Sequence, residues 1–278
     1  VSAVRRRRHV GTHLTLIFAC LIALFPIYWV LITSFKPERD IYRAQVLPAE
    51  WHPENYPTVA ETDNWLFARW FANSVIVALG TTALGLLFAS TAAFGLSRFR
   101  FRGKGTSYGL FLVTQMFPGA ILLVPLYAIL KNLGLLDSYP GLILVYTTVA
   151  LPFCTLMLKS YFDTIPLSLD EAAIVDGLSL WGVFYRIVLP LSLPGMAVTA
   201  FFSFITAWNE FMFALVFMTG DTHKTLPVGL QSAYMSQHNI QWQLMAAGSV
   251  MITLPVVIMF VIAQRYIVAG LTQGGVKG

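Results

Sequence analysis

Charge is scarce in this chain of 278 residues: Asp, Glu, Lys and Arg make up 11% of it, against 57% hydrophobic residues. So little polar material cannot clothe a water-exposed globule of this length, and a mean hydropathy of +0.70 points to a membrane protein. Cysteine is nearly missing. Cys20 and Cys154 both fall in apolar runs, away from an oxidising compartment, so they read as packing residues and not as a disulfide or redox pair. The histidines, His9, His13, His52, His223 and His238, form no His-Glu-x-x-His and have no metal-ligand spacing, so no metal site is expected. No Gly-x-x-x-x-Gly-Lys loop occurs, so the chain is expected to hydrolyse no ATP of its own. No internal repeat and no period-two alternation are found, which argues against repeat-built carriers and β-barrels.

What is abundant is apolar sequence in runs of about 20 residues, the length a helix needs to cross a bilayer. In lipid each peptide group must be bonded inside its own helix, so the expectation is an all-α integral membrane fold. Six spans are read: Leu14–Thr33, Phe71–Ser97, Tyr108–Leu130, Pro140–Ser160, Gly195–Thr219 and Leu244–Ala263. The first follows "VRRRRH" but is long, contains Pro26 and shows no small-residue cleavage site, so it is expected to be retained. Counting Lys and Arg on alternate sides gives 12 on the side of Arg5, Arg98 and Arg186, against 6 on the side of Lys36 and Lys224. The excess places both termini in the cytoplasm, and the pI near 9.3 needs no nucleic acid. The organisation expected is a single transmembrane domain over 1–278. It has a first span at 14–33, an outer loop at 34–70, a core at 71–267 and a flexible tail at 268–278. The outer loop carries Pro37, Pro48, Pro53 and Pro57 among Trp51, Tyr56, Trp65 and Trp70, a composition suited to ordered chain along the headgroups.

The stretch "SLDEAAIVDGLSLWGVFYRIVLPLSLPG", from Ser168 to Gly195, is out of character in so apolar a chain. Ser168 and Glu171 fit the S-x-x-E capping box, and Asp170 and Glu171 sit where a helix dipole favours negative charge. Gly177 is placed to take the left-handed conformation that ends a helix. A second helix is expected from Ser179, with Leu180, Trp181, Phe184, Ile187 and Val188 on one face, stopped by Pro190 and Pro194. The product is a protruding cytoplasmic knob that presents Glu171 and Asp176 beside small Ala172 and Ala173. It reads either as a solvated loop or as one half of a socketed protein contact; Trp181 and Phe184, far from a lipid span, favour the second.

The order Glu171, Ala172, Ala173, Asp176, Gly177, then Phe184, Ile187, Leu189, Pro190, Pro194 and Gly195, resembles the EAA loop of binding-protein-dependent ABC importer permeases. Leu178 stands where that family more often has Ala. "LITSFKP", "NSVIVALGTT", "AAFGLSRFRFRGK", "LPFCTLMLKSYFDTIPLSLDEAA", "AWNEF" and "QRYIVAGLTQGGVKG" extend the likeness to maltose-transporter-type, six-span carbohydrate permeases. The resemblance implies a subunit of the cytoplasmic (inner) membrane that imports a sugar, a di- or oligosaccharide. Its partners would be a second homologous permease, an ATPase dimer, an extracytoplasmic sugar-binding protein and membrane lipid. The chain itself would bind no cofactor, since ATP and Mg would sit on the ATPase. It further implies that Glu171, Ala172, Ala173, Asp176, Gly177, Phe184, Ile187 and Pro190 form the ATPase-coupling element between spans four and five. Gln273, Gly274 and Gly275 would be a tail contact to the ATPase.

Within the membrane, Thr81, Gly85, Ala89, Ala93 and Ser97 recur every four residues as a small-residue packing strip. Pro118, Pro125 and Pro152 are expected to bend their spans. Asn209 and Glu210 fall in the fifth span, where an ionised acid must face protein or water. They line a translocation path or gate, or else make an inter-subunit hydrogen bond. The segment 220–243, with His223, His238 and Trp242, is either a surface for a docked binding protein or an ordinary outer loop. A secondary transporter or channel with a six-helix bundle remains the alternative class, weakened by Glu210 being the lone acid inside a span.

Overall fold

The computed structural model describes residues 2–43, 45–235 and 240–275, with side chains described over 11–43, 45–62, 65–235 and 240–264. The helices are, in order, α1 (Ser2–Thr33), α2 (Asn55–Ala60), α3 (Thr62–Arg98), α4 (Lys104–Thr114), α5 (Gly119–Asn132), α6 (Tyr139–Phe162) and α7 (Leu167–Val175). They continue as α8 (Leu180–Val183), α9 (Leu189–Leu191), α10 (Leu193–Trp208), α11 (Met212–Phe217), α12 (Leu226–Tyr234) and α13 (Trp242–Gly275). Among the described residues no β-strand forms; Met235 and Ile240 make an isolated bridge.

Long apolar runs without a breaker become long helices, because lipid leaves the backbone no other partner. Four stretches are long and apolar enough to cross a bilayer: Gly11–Thr33, Trp65–Arg98, Tyr139–Phe162 and Trp242–Gln264. Two bent pairs bring the candidates to as many as six: α4 with α5, bent by 101°, and Leu180–Leu191 with α10, bent by 77°. The third expected span is therefore not a continuous helix. Pro118 has no N–H to continue α4; it takes φ −59° and ψ 130° and becomes the residue from which α5 restarts. Pro125 and Pro152 stay inside α5 and α6. The fifth expected span is also divided, since helix ends at Trp208 and resumes at Met212.

The chain forms two compact units, Val1–Ala68 with Gly229–Leu254, and Arg69–Val228 with Pro255–Gly278. In the first, the outer loop is ordered as expected. Phe35 packs its ring between Trp51 and Tyr56, and Asn55 donates to the carbonyls of Ser34 and Lys36. In the second, the small-residue strip is buried where it lies against α6. Ala89 and Ala93 join Phe94, Cys154, Leu158 and Phe162 in one apolar core that reaches the ends of α3 and α6. Segment 220–243 is not only loop: Leu226, Val228 and Leu230 are buried and make α12. The tail expected to be flexible from residue 268 continues α13 in backbone to Gly275; its side chains, those of Gln273, Gly274 and Gly275 included, lie outside the described residues, as does His238.

Candidate functional site

The acidic knob forms, though with different chemistry at its start. α7 begins at Leu167, one residue before the expected cap, and Pro166 stands at its N-cap with extended ψ of 132°. Ser168 is thus inside the helix, no side-chain cap bond is made, and the expected capping box does not form. Proline already holds the φ that a helix entry requires, so the helix starts there. The far end is as expected. Gly177 takes φ +92°, its N–H bonds to the Ile174 carbonyl, and the Leu178 N–H reaches the Ala173 carbonyl. Those two bonds define a Schellman stop, and they satisfy carbonyls the helix end would otherwise leave open.

Ser179 caps the second helix by accepting from the Gly182 N–H at 3.2 Å. Its run is short. Between Phe184 and Val188 the chain opens into a wider turn, with the Leu189 N–H bonded to the Phe184 carbonyl five residues back. The widening lies beside Pro190, whose ring would strike the Arg186 carbonyl in a regular α-turn. The helix ends at Leu191, one residue past Pro190, and the chain turns by 77° into α10, whose first turn holds Pro194. The buried stripe is Val183, Phe184 and Val188, with Ile187 half-buried, whereas Leu180 and Trp181 are exposed. The expected face is offset because the wide turn breaks the 3.6-residue period on which it was drawn.

The coupling residues named from the sequence thus fall into two sets. Ala173, Phe184 and Ile187 face the core formed with α3 and α6 and seat the knob. Glu171, Ala172, Asp176, Gly177 and Pro190 are exposed, beside Val175 at 87% and Trp181 at 62% exposure. The outward surface combines small, acidic and apolar groups. That combination is a poor solvated face and a good contact face.

One constellation escaped the sequence reading. Arg98, the last residue of α3, has a side chain largely covered by its neighbours and places Nε 2.6 Å from Oδ2 of Asp170 in the first turn of α7. Its Nη1 donates to the Phe162 carbonyl at 2.9 Å and to Ser97 Oγ at 3.1 Å, and its Nη2 to the Ile165 carbonyl at 3.2 Å. Beside it Asp163 accepts from Ser97 Oγ at 2.6 Å and Lys159 Nζ at 2.5 Å. Burial raises the Asp163 carboxyl, but hydrogen bonds from Lys159 and Ser97 and the charges of Lys159 and Lys104 outweigh it, leaving the pKa below the ordinary value. No local pattern joins positions 72 residues apart. The available signals were a basic residue closing a span and an acid in an apolar first turn.

Asn209 and Glu210 lie at the break between α10 and α11. Asn209 is exposed, and Glu210 accepts from the amides of Phe213 at 3.0 Å and Ala214 at 3.2 Å. The acid therefore serves first as the cap of α11. It also borders a cavity of about 20 Å³ with Thr81 and Tyr146. At the opposite end of α6, the segment 219–225 is clasped. Asp137 accepts from the amides of Thr219 and Gly220 and from His223 Nδ1, while Trp70 and Asn73 donate to the carbonyls of Asp221, Thr222 and Lys224. Among the described residues no group of His, Cys, Asp and Glu could hold a metal ion.

Comparison with known proteins bears on this arrangement. Residues 82–273 match the family described as binding-protein-dependent transport system inner membrane component. The sulfoquinovosyl glycerol transport system permease protein SmoH of Agrobacterium fabrum is 40% identical, over 92% of this chain and 89% of its own length. The trehalose/maltose transport system permease protein MalG of Thermococcus litoralis is 36% identical over 94% of each. A chain from a bacterial ABC transporter that imports the polysaccharide alginate superposes with a TM-score of 0.79, over 94% of this chain and 96% of its own, at 24% identity. That likeness is one of fold. Together, the family match over both the knob and the core and the full-length relatives, themselves permeases of sugar transport systems, identify the chain as a member of the binding-protein-dependent transport system inner membrane components.

Proposed function

We propose that this chain is one of two permeases through which an ATP-driven importer passes a di- or oligosaccharide, and that α7 is its joint with a separate ATPase. The observation that carries the reading is the outward set of the knob. Glu171 and Ala172 stand clear of the fold while Ala173 and Phe184, their neighbours in sequence or space, root them in the core of α3 and α6. A force on that surface has a packed route to two long helices. The ATPase would supply the basic cleft, and ATP with Mg would bind there and not on this chain. Glycosides in the names of relatives support the substrate class.

Six spans, cytoplasmic termini and a single transmembrane domain belong to the same reading. Asn209 and Glu210 are placed by it on the path or gate, with Glu210 holding the broken helix in shape. Gln273, Gly274 and Gly275 are proposed as a second contact with the ATPase. A sister permease and an extracytoplasmic binding protein complete the assembly. The test is affinity capture of the chain from membranes, expected to bring an ATPase and a second permease. Glu171→Lys is expected to insert normally yet lose ATPase capture and sugar uptake. Capture of neither partner, or unimpaired uptake by Glu171→Lys, overturns the reading.

A further inference from the structure

We infer that Arg98 is a positioning residue for energy coupling: its guanidinium latches the end of α3 and the end of α6 to the first turn of α7, through Asp170. This rests on the reading of α7 as the joint with the ATPase. Besides a bond from Nη1 to Ser97 Oγ on its own helix, the polar contacts of the side chain reach three other pieces of the junction. Nε meets Asp170 of α7, Nη1 the last carbonyl of α6 at Phe162, and Nη2 the carbonyl of Ile165 in the link between them. The side chains of Arg98 and Asp170 are only 7% and 11% exposed.

A buried ion pair is a poor way to stabilise a fold, because leaving water costs both partners much of what they gain. Apolar side chains would hold these ends together at least as well. What a planar guanidinium adds is geometry: Nη1 and Nη2 donate to carbonyls at the end of α6 and in the link after it, while Nε faces the Asp170 carboxylate as an ion pair. The α6 end also has carbonyls with no helical partner, and Arg98 satisfies one of them. Asp170 adjoins Glu171, and as a buried neighbour of that exposed acid it passes any displacement of α7 to α3 through one side chain. The apolar seat at Phe94 and Phe184, with rings 5.0 Å apart, holds the two elements in contact. The latch fixes their register.

The test uses the whole complex in proteoliposomes, with sister permease, ATPase and binding protein, and reads sugar moved per ATP hydrolysed. The double variant Arg98→Met with Asp170→Leu removes both charges together, so neither is left as an unpaired buried charge. It is expected to assemble with the ATPase and to hydrolyse ATP, while sugar moved per ATP falls at least fivefold. Arg98→Lys, which keeps a charge for Asp170 but cannot reach the carbonyls in the same geometry, is expected to fall between it and the wild type. A wild-type ratio in the double variant overturns the latch. Should the double variant fail to accumulate, Arg98→Lys decides, and an unchanged ratio there overturns the latch too. Glu171→Lys run in parallel separates the two readings: if it loses ATPase binding and transport while the Arg98 variants keep the wild-type ratio, the joint stands and the latch falls. If Glu171→Lys transports normally with its ATPase bound, both fall.

Discussion

At the scale of single residues, Asp137 shows how one carboxylate orders a loop. It takes φ +53°, a conformation Asp tolerates better than most residues, and turns its side chain onto the chain that follows α11. Burial raises its pKa, but the Gly220 amide, His223 and the Thr219 amide more than compensate, leaving it below its ordinary 3.8. A depressed acid contributes stability above its unfolded value and loses it only as pH falls through the lower, folded value. The Asp137 part of the clasp is thus expected to hold unchanged between pH 7 and 5. Asp137→Ala removes the acceptor for two amides and an imidazole, a loss of roughly 1–2 kcal/mol after allowing for partial exposure. Limited proteolysis within 219–225 should then quicken on the order of tenfold, with Asp137→Asn in between; equal rates for all three would refute the clasp. Glu210 teaches the complementary lesson. The sequence marked it as an acid needing a partner inside a span, but it could not reveal that the span breaks there and that the partners are amides three and four residues on.

At the scale of elements, the knob is defined by how its helices stop. Gly177 at φ +92° is the residue for which the sequence reading and the structure agree in mechanism as well as position. Any side chain there meets the left-handed penalty, so Gly177→Ala should destabilise the knob by about 1–2 kcal/mol although no atom lies within 4 Å of the added Cβ. Thermal unfolding of the detergent-solubilised chain would register it as a lowered midpoint, and an unchanged midpoint would mean the turn is free to rearrange. Starts were less legible than stops. Ser168 suggests a capping box, yet Pro166 is the N-cap and Ser168 lies inside the helix; local propensity does not decide between them, and the burial of Ala173 in the core that holds Phe162 favours the observed start. The offset of Trp181 has a similar origin. A helical wheel assumes an unbroken period, and the wide turn beside Pro190 breaks it. Long apolar helices were readable because their period and length are redundant over many residues. Arg98 and Asp170 were not, since pairing across elements leaves no periodic trace.

At the scale of the molecule, the contacts in the second unit constrain how often the chain crosses the bilayer. Arg98 joins the end of α3 to the end of α6, while Tyr139 at the start of α6 donates to Asn73 near the start of α3. The two helices therefore run parallel, and parallel neighbours require the intervening α4 and α5 to return across the membrane. On the proposed six-span topology the bend of 101° is a break within one crossing. The same logic applies downstream. α6 ends beside Arg98, yet the segment after α11 is held by Trp70 and Asn73 at the other end of α3, so the proposed topology has the chain from α7 to α11 cross once. The excess of positive charge predicts that the Arg98 end lies inside. Single cysteines, in a chain whose Cys20 and Cys154 are replaced by Ala, should therefore divide by side under a membrane-impermeant maleimide. Asp221→Cys should label in intact cells, and Val175→Cys, 87% exposed on the knob, only after permeabilisation. Labelling of both in intact cells would mean an even number of crossings between them and would dismantle the six-span topology. It would also put the acidic knob out of reach of any cytoplasmic ATPase.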